Sequence, residues 1–171
     1  TTPNRREVEF EELRINARAK QGGGYDFESY DAGDLFKRAT ELDPDDLEAQ
    51  FGLATAYRRV NELEQARTLL ESIAKRDPQF AGLALERGLL LEAQGKYAEA
   101  VQSYRAAHTK DPSDTALNLR LGAAQVEAGL LDDAELTLQT VMRETPNSAE
   151  AEYSSGRLAL ARGRGPDALT H

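Results

Sequence analysis

The side chains in this sequence that could do chemistry are few. There are two histidines, His108 and His171, and no cysteine. An imidazole acts as a base or a metal ligand only beside partner groups. His108 has Lys110 for a neighbour and reads as a solvent-facing helix residue, and His171 reads as a frayed end. Without cysteine there is no thiolate nucleophile, disulfide or cysteine-held metal. Gly22-Gly23-Gly24 could cradle a phosphate, but the lysine and flanking strand of a phosphate loop are missing. Asp43, Asp45 and Asp46 lack the glycine and terminal glutamate of a calcium loop. A helix stop followed by a helix cap explains them. Asp132-Asp133 opens a helix, where the dipole favours negative charge. The expectation is no catalytic residue, no metal site and no cofactor.

What remains is the chemistry of contact. Four trios have the four-then-three spacing that puts side chains on one helical face. They are Phe51, Thr55 and Arg58; Leu85, Leu89 and Glu92; Leu119, Ala123 and Val126; and Tyr153, Arg157 and Leu160. Phe51, Leu85, Leu119 and Tyr153 form an apolar row. Leu89, Val126 and Leu160 are apolar where a solvated face has no need of them. Changing Leu89 and Val126 to Ser is expected to abolish binding with little loss of stability. Arg58, Arg120 and Arg157 add positive charge to an acidic chain. A second candidate is the segment Gly22 to Asp31, where Tyr25, Phe27 and Tyr30 bring together three of the eleven aromatics. It reads as a recognition loop or as a cover for the open edge of the first repeat.

The elements that must position these residues repeat. Pro44, Pro78, Pro112 and Pro146 are spaced by 34 residues throughout. Ala32, Ala66, Ala100, Ala134 and Ala168 keep the same step, as do Asn61, Gly95, Gly129 and Gly163, and Ala54, Gly88, Gly122 and Gly156. A fixed period of this size marks a stacked solenoid. Each unit reads as two helices. Gly95 stops the first in the left-handed region. Asp111-Pro112 ends the second, since a residue before proline leaves the helical region. Asp45 with Glu48, and Asn147 with Glu150, have the spacing of capping boxes. The glycines of the first helix are expected to face the alanines of the second, so that the two helices approach closely. Gly122→Leu should then overpack the seam at a cost of about 1–3 kcal/mol.

These rows resemble the tetratricopeptide repeat. In 47–80 the matching residues are Gln50, Leu53, Ala54, Tyr57, Ala66, Leu70 and Pro78. In 81–114 they are Ala84, Arg87, Gly88, Leu91, Ala100, Tyr104 and Pro112. In 115–148 they are Asn118, Leu121, Gly122, Gln125, Ala134, Leu138 and Pro146, and Glu152, Ser155, Gly156, Ala159 and Ala168 continue the pattern. The large first residue is never aromatic, and Arg87 stands where Leu is usual. The resemblance implies an all-α, right-handed superhelical solenoid of antiparallel helix pairs. The units are 13–46 (atypical), 47–80, 81–114, 115–148 and 149–171 (truncated), with 1–31 forming an N-terminal helix and the Gly/aromatic insertion, and 32–171 the array.

The resemblance also implies that the face carrying Phe51, Arg58, Leu85, Leu89, Leu119, Arg120, Val126, Tyr153, Arg157 and Leu160 lines a concave groove for a peptide or protein segment. The Lys/Asn carboxylate clamp of chaperone-binding members is missing, because Phe51, Thr55, Glu86, Leu89 and Ala116 occupy its rows and only Arg120 fits it. Function is therefore read as a non-catalytic protein-interaction scaffold. Two alternatives remain: a regulatory or substrate-selecting arm of a larger enzyme, or a self-assembling module joined through its C-terminal edge around Leu158 to Leu169.

Bulk properties set further bounds. The chain has 171 residues, 40% of them hydrophobic and 30% charged, which is a foldable composition. A formal charge of −9 argues against nucleic acid, which needs a basic footprint. No run of apolar residues is long enough for a membrane span. The chain is expected to be soluble, cytoplasmic or periplasmic. Its first residue, Thr1, is read as the start of an excised or processed piece, and Arg over Lys at 16 to 5 as a bacterial signature.

Overall fold

The computed structural model describes Ile15 and residues 26–163. Among the described residues there are eight helices and no strand. They are α1 (Asp26–Leu42), α2 (Leu47–Arg59), α3 (Leu63–Arg76), α4 (Leu83–Ala93), α5 (Tyr97–Lys110), α6 (Thr115–Glu127), α7 (Leu131–Glu144) and α8 (Ala149–Ala161). The contacts divide into two compact units, one running to Glu86 and the other starting at Arg87. In the first, α2 packs on α1 and on α3. In the second, α6 packs on α5, α7 and α8, and α7 packs on α8.

The residue that closes each first helix takes the same left-handed conformation. Asn61, Gly95, Gly129 and Gly163 have φ of 63°, 72°, 75° and 74°. In the first three turns the next residue's N–H reaches back to a carbonyl five residues earlier: Glu62 to Tyr57, Lys96 to Leu91 and Leu130 to Gln125, each at 2.8 Å. That is the Schellman closure, and it satisfies carbonyls the helix end would otherwise leave open.

Helix starts differ from the expected capping boxes by one residue. Asp46, not Asp45, caps α2, accepting from the N–H of Glu48 at 2.7 Å and of Ala49 at 3.2 Å. Ser148, not Asn147, caps α8 through Ala151 N–H at 3.2 Å. Asp114 caps α6 in the same way. These three are themselves 34 residues apart or twice that, so the period places the caps where a single local spacing did not. Phe80 holds the equivalent position before α4. Its ring lies 5.2 Å from that of Phe51. Gly82, at φ 80°, follows it, and a Cβ there would stand 3.1 Å from Phe51 Cζ.

The seam inside each pair also differs from expectation. The small residue of the first helix faces a large residue of the second, not an alanine. A Cβ on Gly122 would stand 2.7 Å from Leu138 Cδ2. Phe36, Leu70, Tyr104 and Leu138, one more row at the 34-residue step, are all nearly without exposed surface. The alanines Ala66, Ala100 and Ala134 are equally buried, but their methyls are not what fills the space over the glycine. Volume is traded across one contact, as close packing requires. Gly156 has no neighbour within 4 Å of its Cβ direction among the described residues.

At the N-terminal side, residues 26–31 open α1 and are not a loop, so Phe27 and Tyr30 lie on a helix. Tyr25 and the Gly22–Gly24 run lie outside the described residues, as do Arg5 to Gln21 apart from Ile15, and Pro166 to His171.

Candidate binding face

In the first unit the predicted face is largely occupied by its own neighbours. Phe51 is half-buried against Phe80 in the turn. Arg58 donates from Nε to Glu86 Oε1 at 2.6 Å and from Nη2 to Glu86 Oε2 at 3.4 Å. Both side chains are largely covered, at 18% and 7% exposure. Leu85 is half-buried. A separate cleft of about 230 Å³ lies between α1 and the C-terminal half of α2, lined by Gly33, Lys37, Leu53 and Tyr57 among others. None of the predicted face residues lines it.

In the second unit the predicted residues part company. Val126 is 8% exposed and belongs to a core cluster with Ala134, Leu138 and Leu158, against which Leu119 packs. The expectation that Val126 lies on an open face is therefore corrected. α8 packs directly on α6 and covers it. Leu89 is half-buried. Tyr153 and Leu160 stand open, at 69% and 60% exposure. They lie seven residues apart on α8, and Arg157 sits between them with its guanidinium carbon 5.9 Å from the Tyr153 ring centroid. Stacking of this kind holds the ring and the cation together at the surface.

The arginines of the face do not form a positive patch. Arg58 has Glu86, Arg120 Nη1 lies 3.7 Å from Glu92 Oε1, and Arg157 pairs with Glu127. Glu92 also accepts a hydrogen bond from the hydroxyl of buried Tyr104. Below this face Arg162 binds Glu135 at 2.5 Å and Asp132 at 2.6 Å. The Glu135 hydrogen bond, set against the opposing effect of burial, leads the influences that hold its guanidinium above the ordinary range, and the charges of Glu135 and Asp132 add to it. Sequence reasoning does not single out the partner carboxylates Glu86, Glu92 and Glu127 as a set. The signal that finds the first two is a separation of 28 residues between anion and cation, six short of the repeat.

His108 is not solvent-facing. It is half-buried, with Nδ1 2.6 Å from Asn118 Oδ1. Asn118 Nδ2 donates to the Pro112 carbonyl at 3.0 Å, so its oxygen faces the ring and Nδ1 carries the hydrogen. Gln50 Nε2 reaches the Pro44 carbonyl in the same manner at 2.5 Å. Asp43 accepts from Asp45 N–H at 3.0 Å, and Asp133 pairs with Arg105. Among the described residues no group of three or more His, Asp or Glu is placed to hold a metal ion. No described helix is long and apolar enough to cross a membrane.

Comparison with known proteins gives a consistent picture. Two family models, each described as tetratricopeptide repeat, match residues 51–115 and 91–158. Tetratricopeptide repeat protein 21B of Homo sapiens is 25% identical over 150 residues; the match takes in 77% of this chain and 11% of that protein's length. MamA (41-end) from Desulfovibrio magneticus RS-1 superposes with a TM-score of 0.81 at 16% identity, covering 95% of this chain and 90% of that one. YrrB, described as a TPR protein with an unusual peptide-binding site, gives 0.71 at 22% identity, covering 84% and 74%. At these identities the two solved structures establish a shared helical-solenoid fold.

Proposed function

We propose that this chain, which belongs to the tetratricopeptide repeat family, is a non-catalytic scaffold that holds a peptide or protein segment along its first-helix face. The observation that carries the reading is the open pair Tyr153 and Leu160 on α8 with Arg157 between them. Two large apolar side chains kept in water at helical spacing are anchor points of the kind a docked segment covers. Leu89 and Leu119, half-buried, extend the contact. The peptide-binding site named for YrrB supports the same reading.

The chemistry of the face limits the guest. Each face arginine is already matched by a carboxylate, and the chain as a whole carries −9. An acidic segment would have to displace those carboxylates. A neutral or basic segment with aliphatic or aromatic anchors meets no such obstacle. The setting we assign is a bacterial multiprotein assembly, a reading supported by membership of a repeat family that the sequence resemblance ties to protein contacts and by the excess of Arg over Lys.

The test is capture from a bacterial lysate by the tagged chain, compared with Tyr153→Ala/Leu160→Ser. The variant should keep its thermal midpoint and lose the captured proteins. Identical capture by both would remove the α8 face from the proposal.

A further inference from the structure

The residue near the end of the first helix of one repeat lies against a residue early in the first helix of the next, 28 positions on. In the first unit these are Arg58 and Glu86. In the second they are Glu92 and Arg120. The two seams use the same two positions with opposite polarity. At the following seam the positions hold Val126 and Ser154, which are buried at 8% and 7% exposure and carry no charge. From this we infer that alternating charge fixes the order in which the repeats stack.

Stacked repeats have a particular problem. Their first helices are alike in length and in the spacing of their apolar residues, so shape alone does little to stop one repeat from packing on the next but one. Such mispairing, within one chain or between two, is a characteristic failure of repeat proteins. The largely covered Arg58–Glu86 pair contributes little net stability over an apolar pair, but a mismatch there leaves charge buried without a partner, whereas at the more exposed Glu92–Arg120 seam a mismatch forfeits a surface attraction. If the 47–80 repeat skipped its neighbour, Arg58 would meet Arg120. If the 81–114 repeat did so, Glu92 would meet nothing charged. Only the consecutive order matches cation to anion at the first seam, anion to cation at the second, and neutral to neutral at the third. Specificity comes from making the wrong neighbours repel.

The inference concerns how the array assembles, beyond what it binds, and is tested on the full chain. Arg58→Glu/Glu86→Arg keeps the first pair but gives both seams one polarity, so that the carboxylate introduced at position 58 could pair with Arg120. The variant should keep its helicity and thermal midpoint. On refolding from denaturant at high concentration it should give severalfold more dimer and larger species by sedimentation than the parent. Reversing the second seam as well, with Glu92→Arg/Arg120→Glu, restores alternation and should bring the parent's monomer fraction back. If the first swap does not fold, the more exposed second seam reversed alone carries the same prediction, with Tyr104→Phe in both it and its reference because Glu92 holds that hydroxyl. Refolding indistinguishable from the parent would overturn the inference. So would equal misassembly of the single-seam and double-seam reversals, because polarity would then be irrelevant.

Discussion

A Cβ on Gly88 would stand 2.5 Å from Cδ1 of Tyr104, inside the ring's own van der Waals boundary. The same two positions hold Ala54 and Leu70 in the preceding repeat, and Gly122 and Leu138 in the following one. The first helix gives up its side chain where the second has the bulkiest one. Gly88→Ala should therefore destabilise by about 1–3 kcal/mol through overpacking. Gly88→Ala/Tyr104→Leu reproduces the Ala54/Leu70 combination and should recover most of that loss. Urea midpoints of the three proteins check it; a double variant no better than the single would mean that the ring is not what the methyl strikes.

Val126 and Leu160 separate the core from the face. Val126→Ser removes apolar volume from the cluster with Ala134, Leu138 and Leu158 and buries a hydroxyl. It should cost about 1–3 kcal/mol. Leu160→Ser, at a position 60% exposed, should stay within about 0.5 kcal/mol of the parent. Thermal melts of the two variants, run side by side, make the comparison.

Gln125 is 3% exposed, and among the described residues its Oε1 accepts no hydrogen bond. Leu91 holds the corresponding position one repeat earlier. Gln125→Leu relieves the buried, unsatisfied oxygen and should raise stability by about 1 kcal/mol, read as an upward shift of the melting temperature. A fall would show that the amide has a role its oxygen does not reveal.

Asp46 and Asp45 test the helix start. Asp46→Ala deprives two N–H groups of their acceptor and should cost about 1 kcal/mol. Asp45→Ala gives up an exposed ion pair with Arg76 at 3.2 Å and should cost less than about 0.5 kcal/mol. Equal losses would return the cap to Asp45.

The architecture is legible because a 34-residue step recurs in four independent rows, and each row has a mechanical reason. Prolines end second helices, and Asn61, Gly95, Gly129 and Gly163 close first helices at positive φ. The face is only half legible. Helical spacing says that Leu119, Ala123 and Val126 share a side, but not how far α8 reaches over it, and Val126 is covered while Tyr153 is not. Nor does spacing within one helix reveal charges on the next. The carboxylates of Glu86, Glu92 and Glu127 cancel the cations that the sequence offers as free. His108 escapes the sequence reading for a related reason: its partner Asn118 lies across a turn, on a different helix. Residues 26–31 read as a loop because the glycines before them draw attention from the regular spacing of Phe27 and Tyr30.

Glu92 answers to two masters, the hydroxyl of Tyr104 within its own hairpin and the guanidinium of Arg120 on the adjoining one. The chain has no tryptophan, so its near-ultraviolet spectrum comes mainly from tyrosine, and Tyr104 is the most deeply enclosed of those described. Anything that draws Arg120 outward hands the carboxylate wholly to the phenol. An event at the rim thus acquires an optical reporter at the centre without any label being attached.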